Sequence, residues 1–405
     1  MKLQTPKGFR DLLPQDALKR RSVLGKITRV FQKFGFDPLE TPSLEYAETL
    51  KGKYGEDEKL IYEFKTPGGD EVALKYDQTV PLARVVAQYG PTGQQLLPIP
   101  FKRYQIQDAY RGENTQKGRY RQFLQCDADI VGVSSPLSDA EILGLVYEIY
   151  KSLGLETVIK INDRALFEDI EPRFLTTIDK LGKIGRDGVL KELESRGLTE
   201  DAARRLLERI EKLQPTDNLQ QIIKLYGEMG YPRESLHFDP ALVRGLDYYT
   251  GMICEATLES QPSSPSLGGG GRYDRLIGKF TGMDLPAVGF AVGLDRTIEA
   301  MEEQGLLQTA LSGTVALVTV FSPGLTGKSL AVVSKLRSAG IPTELWLDPD
   351  AKLERQLKYA NQKHIPYAVI IGPEEAKKEE LVLKNLSDGN QQRLMLDELT
   401  AKLGQ

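Results

Sequence analysis

Histidine and cysteine are scarce in this chain: two of each among 405 residues, His237, His364, Cys126 and Cys254, beside a single tryptophan. Neither histidine has a cysteine or second histidine at metal-ligand spacing, so the ligand supply argues against a protein-bound zinc site. Ser-His or Cys-His catalysis is equally poorly provided for. One disulfide is arithmetically possible, but two thiols in so long a chain read as small buried hydrophobes. No apolar run approaches the roughly 20 residues that cross a bilayer. The first residues, MKLQTPKGFRDLLP, hold no apolar signal core and read as mature protein, so the cytoplasm is the expected location. Charge of one sign is not in excess: 53 basic against 57 acidic residues leave a net charge of −4. That argues against indiscriminate coating of nucleic acid, yet leaves room for one structured RNA met by a local basic face. An enzyme of this composition must rest its chemistry on arginines, carboxylates and a metal that arrives with the substrate.

What is present is ordinary globular composition, 40% hydrophobic and 27% charged, in a length that calls for two or three domains. Over 14–35, Leu18, Val23, Ile27, Val30 and Phe31 recur at helical spacing, with Pro14 and Asp16 suiting the start and Gly35 the end. Strand-like stretches follow at 59–65, 71–76, 98–112 and 119–132, the last two reading as an antiparallel pair about a polar loop at 113–118. A helix is expected at 138–153 and a strand at 156–161. Residues 165–235, rich in Glu, Lys, Arg and Leu, read as a helical insertion without strand signal. Strand character returns at 250–258, and QPSSPSLGGGG (261–271) reads as a separator. From Ala316 strands and helices alternate: VALVTVF, a helix at 326–339, TELWL, a helix at 352–363, then YAVIIG. This is the pattern of a compact α/β domain, with GLLQTALSG before it as linker.

Four constellations carry the chemical signal. In FKRYQIQDAYRGENTQKGRYRQFLQCDADIVG (101–132), alternation puts Gln105, Gln107, Arg111 and Glu113 on one face of the first strand. Arg119, Arg121, Gln125, Asp127 and Asp129 share a face of the second. Such a face is a solvated, salt-bridged sheet surface or a polar site. The loop, with Lys117 between flanking arginines, suits phosphates. In VALKYDQTVPLARVV (72–86), Asp77 and Thr79 stand where a strand meets a helix; Asp77 caps that helix or holds an ammonium group. LVRGLDYYTG (242–251) crowds Arg244, Asp247, Tyr248 and Tyr249 between glycines, as a turn with two core tyrosines or as part of a site. Finally, GGGGRYDRL (268–276) leads to AVGFAVGLDR (287–296), where Arg296 follows small residues and calls for an anion.

These segments resemble class II aminoacyl-tRNA synthetases, and within them the histidyl-tRNA synthetase family. YRGE…GRYRQF is similar to motif 2, GFAVGLDR to motif 3, and FGFDPLETPSLE to the dimer-forming motif 1. RGLDYYTG with GGRYD resembles the two histidine-specific motifs, and LERQLKYANQKHIPYAVIIG resembles the family's anticodon-binding domain. The resemblance implies an α+β chain: an antiparallel-sheet catalytic domain at 1–313, with its helical insertion at about 165–235, and an α/β anticodon-binding domain at 314–405. It implies a homodimer off the membrane whose partners are L-histidine, ATP with substrate-borne Mg²⁺, and tRNA(His). Arg111 is implied at the α-phosphate, Glu113 and Arg119 on the ATP side, and Arg296 stacked on adenine and meeting the γ-phosphate. Arg244 is implied at the histidine carboxylate and the reacting phosphorus. Asp77, Gln78, Thr79 and Gln125 are implied at the amino and carboxylate ends of histidine. Asp129 and Tyr249 are implied at the imidazole nitrogens, with Tyr248 and Tyr273 lining the pocket. Buried polar partners of that kind reject an apolar amino acid by about 10⁴-fold, which makes editing unnecessary.

Departures are few. Asp77 and Asp129 stand where many members carry Glu, and Asn114 stands where many bacterial members place Arg. FSPGLTGKS (321–329) imitates a P-loop, but Ser322 occupies the first glycine position and Pro323 lacks a phosphate-binding N–H. A helix N-terminus touching RNA phosphate suits it better. A second function, a histidine-sensing regulatory paralogue resembling the accessory subunit of ATP phosphoribosyltransferase, fits less well, since such chains usually lack the tail and the catalytic arginines.

Overall fold

A computed structural model describes residues 2–53, 55–115, 118–243, 248–261, 265–307 and 312–404, and the side chains of these except 55–57 and 183. The chain forms two compact units, Met1–Asp11 with Val23–Leu306 and Leu12–Ser22 with Leu307–Gln405. Among the described residues no helix is long and apolar enough to cross a membrane.

The strands of the first unit are β1 (Asp37–Pro38), β2 (Leu44–Tyr46), β3 (Glu63–Lys65), β4 (Glu71–Leu74), β5 (Phe101–Tyr110), β6 (Gln122–Val131), β7 (Thr157–Asp163), β8 (Leu236–Phe238), β9 (Met252–Leu258), β10 (Gly268–Arg272) and β11 (Ala287–Gly293). Eight of them form one sheet in the order β1-β5-β6-β11-β10-β9-β7-β8, while β2, β4 and β3 form a small sheet. The six central strands pair antiparallel, and only the short edge strands β1 and β8 run parallel to their neighbours. The expected antiparallel pair is β5 with β6, in register from Phe101↔Val131 to Tyr110↔Gln122.

Helices form where the spacing predicts. In Pro14–Lys33 the buried residues are Val23, Ile27, Val30 and Phe31. Helix Pro136–Leu153 packs on the sheet; the Ser135 hydroxyl accepts from Leu137 N at 3.2 Å, and Gly154, at φ 80°, ends it in the left-handed conformation. The insertion holds Pro172–Ile178, Leu181–Ser195, Glu200–Glu211 and Asp217–Glu228. Phe167, Phe174, Leu175, Leu193 and Leu207 give its first three helices a core of their own.

Three expectations need correcting. In the stretch 59–65, Lys59 and Leu60 end a 3₁₀ turn, Gly55–Leu60, and only Glu63–Lys65 is extended. A strand at Leu236–Phe238 follows the insertion, too short to show alternation. The glycine run read as a separator is β10, buried between β9 and β11. A Cβ on Gly270 would lie 2.0 Å from the Gly289 carbonyl oxygen, so the strand fits only because it carries no side chains there.

In the second unit, β12 (Ala316–Val318), β13 (Thr343–Leu345), β14 (Tyr367–Ile370), β15 (Leu381–Asn385) and β16 (Gln391–Leu394) make a sheet ordered β13-β12-β14-β15-β16. The first three run parallel, as the alternation predicts; β15 and β16 add an antiparallel extension. Val318, Val333, Leu336 and Leu399 sit in its core. The P-loop imitation forms no cradle: Ser329 is buried with its hydroxyl donating to the Thr319 carbonyl at 2.8 Å, and Lys328 turns to the Ala376 carbonyl at 3.4 Å. Part of the expected linker, 308–311, lies outside the described residues.

Candidate active site

The polar face of the hairpin is not solvated. Register sets Arg103 opposite Asp129, Gln105 opposite Asp127 and Gln107 opposite Gln125, and Arg103, Gln105, Asp127 and Asp129 are all buried. Beyond β6 the neighbouring positions are nearly bare. Asp129 faces Gly289 on β11, which faces Gly271 on β10; Asp127 faces Ala291, then Gly269, then Glu255 on β9. Carboxylates and amides thus wall a floor of glycine and alanine, leaving room above the sheet. Gly289 is required for a further reason, since a Cβ there would lie 1.9 Å from Asp129 Oδ1.

A cavity of about 280 Å³ opens on this floor, lined by Asp77, Thr79, Arg111, Gln125, Asp127, Asp129, Tyr248, Tyr249 and Tyr273 among others. Arg103 lies beneath, with Nη2 2.8 Å from Asp129 Oδ2 and donating to the Gln78 carbonyl at 3.3 Å. The Tyr273 hydroxyl donates to the other Asp129 oxygen. Burial, and then the Asp129 charge, hold the Tyr273 phenol well above its ordinary value, so it stays a donor. Burial raises Asp129 as well, against the pull of Arg103. The Tyr248 ring packs 4.9 Å from Tyr249 and 5.8 Å, edge on, from Tyr273, making an aromatic wall. Asp77 Oδ1 accepts from Thr79 N and Val80 N at 3.1 Å each at the start of the helix, and the residue also lines the cavity.

An adjoining cavity of about 260 Å³ shares Arg111, Arg119 and Gln125 with the first, and adds Glu113 and Arg296. Arg111 is clamped by its Nε bond to the Tyr76 carbonyl at 3.0 Å, between the rings of Tyr76 and Phe123. Glu113 pairs with Arg119 and lies 4.0 Å from Arg111. Arg296 donates to the Ser266 carbonyl at 3.0 Å, and burial followed by repulsion from Arg119 lowers its guanidinium from the ordinary value. Three guanidiniums lining one cavity suit a polyanion. From outside, Arg10 pairs with Asp295 and lies 3.6 Å over the Tyr120 ring; Asp295 and Tyr120 both line this cavity.

Gln78 departs from expectation. Its amide donates to the carbonyls of Gln107 at 2.7 Å and Gln125 at 3.1 Å, so it ties the two strands together and does not line the cavity. Arg244, with Asp247, and Lys117 lie outside the described residues. Four residues at the site have no role in the sequence reading. Asp127 is already placed on the polar face by alternation, and Arg103 is legible as the next odd position of β5 before Gln105. Asp179 and Glu255 reach the cavity from the insertion and β9, with no local signal. In GGRYD, Arg272 turns away to Asp139, 2.5 Å distant, pinning helix Pro136–Leu153. Both cysteines are buried and form no disulfide. Among the described residues no cluster of three or more His, Cys, Asp or Glu could hold a metal ion.

Comparison with known proteins places this geometry. The Histidyl-tRNA synthetase family matches residues 8–174 and 187–297, and the Anticodon binding domain family matches 314–405. The histidine–tRNA ligase of Gloeobacter violaceus is 39% identical over 97% of each chain. That of Aeropyrum pernix is also 39% identical, over 97% of this chain and 96% of its own. A crystal structure of histidyl-tRNA synthetase from Nostoc sp. PCC 7120 superposes with a TM-score of 0.85 at 30% identity, covering 100% of this chain and 99% of that one. An ATP phosphoribosyltransferase regulatory subunit/histidyl-tRNA synthetase from Bacillus halodurans C, at 24% identity and a TM-score of 0.71, shares the fold over 89% of this chain and 97% of its own.

Proposed function

The chain belongs to the histidyl-tRNA synthetase family and ligates histidine to tRNA at the expense of ATP; from that premise we propose how its residues divide the work. Histidine occupies the acid- and phenol-lined cavity, and the ATP phosphates occupy the arginine-lined one. The single observation that supports this division is that the two cavities adjoin and share Arg111 and Gln125. A carboxylate held in one is thereby brought against an α-phosphate held in the other.

Asp129, fixed by Arg103 and Tyr273, accepts from one imidazole nitrogen, and Tyr249 meets the other. Asp77, Thr79 and Gln125 hold the amino and carboxylate ends. A histidine carboxylate oxygen attacks the α-phosphorus; the new O–P bond forms as the bond to pyrophosphate breaks. Arg111 and, by resemblance, Arg244 meet the charge that develops there, while Glu113, Arg119 and Arg296 hold adenine and the outgoing phosphates. Mg²⁺ travels with ATP and neutralises the leaving group. The 3′-terminal hydroxyl of tRNA(His) then attacks the adenylate carbonyl and AMP departs.

A functional domain boundary at 313/314, a few residues beyond the start of the second unit's main stretch at Leu307, with 314–405 reading the anticodon, belongs to the same proposal, as does action in the cytoplasm. So does a homodimer: Leu44, Tyr46 and Phe64 are exposed on the small sheet next to the segment resembling motif 1. The regulatory alternative loses ground because relatives named histidine–tRNA ligase align over nearly the whole chain, tail included.

Substitution of the central cation tests the division of labour. Arg244→Ala should lower histidine-dependent ATP–pyrophosphate exchange by about 100-fold or more with an unchanged melting temperature. Unchanged exchange would remove Arg244 from the reaction.

A further inference from the structure

We propose that Asp127 is a direct contact for the α-ammonium group of the amino-acid substrate, a specificity residue in addition to Asp77. The inference rests on the placement of histidine given above. Asp127 is 2% exposed and lines the acid- and phenol-lined cavity. Its Oδ2 accepts from Gln125 Nε2 at 2.9 Å, and its Oδ1, although buried, has no hydrogen-bond partner among the described residues. Among the described residues no ion pair reaches Asp127, although the charge of Arg103 acts on it from a distance. The flanking positions across the sheet are Gln105 and Ala291. Gln105 spends its amide on Thr41 Oγ1 and Gln107 Oε1. Arg103, the buried cation of this sheet face, is held 2.8 Å from Asp129. An acid removed from water, in the wall of a cavity and with one oxygen lacking a hydrogen-bond partner, is matched to a donor that arrives from outside. Burial, opposed mainly by Arg103, holds its carboxyl well above the usual carboxylate range; an ammonium beside it favours the charged form.

Position identifies which part of the substrate this is. Side chains two apart on a strand stand about 7 Å from each other on one face. Asp129, at one end, is bound to Tyr273 beside the aromatic wall. Gln125, at the other, belongs also to the arginine-lined cavity. Asp127 lies midway, between the ring-binding end and the carboxylate-activating end, which is where the α-carbon and its ammonium fall. Glu255 is three strands away along the same row, beyond Ala291 and Gly269, and does not reach that point.

Two histidine fragments separate this role from a structural one: histamine keeps the ring and ammonium, and imidazolepropionate keeps the ring and carboxylate. Both are measured as inhibitors of exchange in the full-length protein and in Asp127→Asn. The variant should raise the histamine inhibition constant and the histidine KM by about 10- to 100-fold, the worth of one charge-assisted hydrogen bond, and leave imidazolepropionate and the ATP KM nearly unchanged. Equal weakening of both fragments, or no change in either, overturns the proposal. If Asp127→Asn does not fold, Asp127→Ser is put to the same comparison with the same criteria. Wild-type protein without histidine-dependent exchange would overturn the functional reading itself and this inference with it; intact wild-type exchange with an unselective variant overturns the inference alone.

Discussion

Lys75 shows how far a single buried charge can be read in isolation. It is fully buried, and its ammonium donates to Gln107 Oε1 at 2.8 Å with no carboxylate in ion-pair range among the described residues. Burial, partly offset by Glu45, pulls its pKa down from 10.5 to about 8. A lowered folded value means that below pH 8 both folded and unfolded chains hold the proton and the burial penalty is complete. Between pH 8 and 10.5 the unfolded chain binds a proton that the folded chain has lost, so stability rises with pH, by up to roughly 3 kcal/mol. Lys75→Met should therefore stabilise the protein at neutral pH and flatten that rise. Gln107 Oε1 keeps its bonds from Thr41 N and Gln105 Nε2, and the Thr41 carbonyl loses only a long bond of 3.4 Å. Denaturant melts at pH 7 and 9.5 check this, and an unaltered pH slope contradicts it. Residues of this kind were only partly legible. Parity marked Asp129 and Gln125 correctly, but it could not tell a solvated face from a buried one, because both read as alternating polar positions. Gln78 misled for the opposite reason: its neighbours Asp77 and Thr79 face the cavity while its own amide is spent on β5 and β6 carbonyls.

Elements were legible where side chains write a period and illegible where they do not. The hairpin, the insertion helices and the alternating tail all carry apolar spacing. β10 carries almost none, because four glycines have no side chains to alternate, and its place in the sheet follows from what a Cβ would strike. The same steric logic gives a prediction on β11. Gly289→Ala should push Asp129 off Tyr273 and raise the histidine KM by about tenfold or more, while the ATP KM, set in the adjoining cavity, moves little. Steady-state exchange kinetics with each substrate varied separate the two, and parallel loss of both would assign Gly289 a purely architectural role.

On the scale of the whole chain, the proposal gives the two units two tasks. The two adjoining cavities lie in residues of the first unit, whereas the family matched by 314–405 is an anticodon-binding one. A chain ended after Gly313 should retain exchange and lose most charging of tRNA(His), since activation uses only small substrates and transfer needs the RNA in register. Charging that survives the truncation would take the tail out of RNA recognition. The order of the two units was legible in the sequence because Ala316 begins a new alternation; the antiparallel strands β15 and β16 were not, since each has four or five residues and β16 is largely exposed.

The central claim is that one cavity selects an imidazole amino acid and the next activates it with ATP. ATP–pyrophosphate exchange with the purified full-length protein, run separately with each of the twenty amino acids, tests selection and activation together. Exchange with histidine alone is the predicted result; exchange with none, or equal exchange with an amino acid lacking the imidazole, contradicts it.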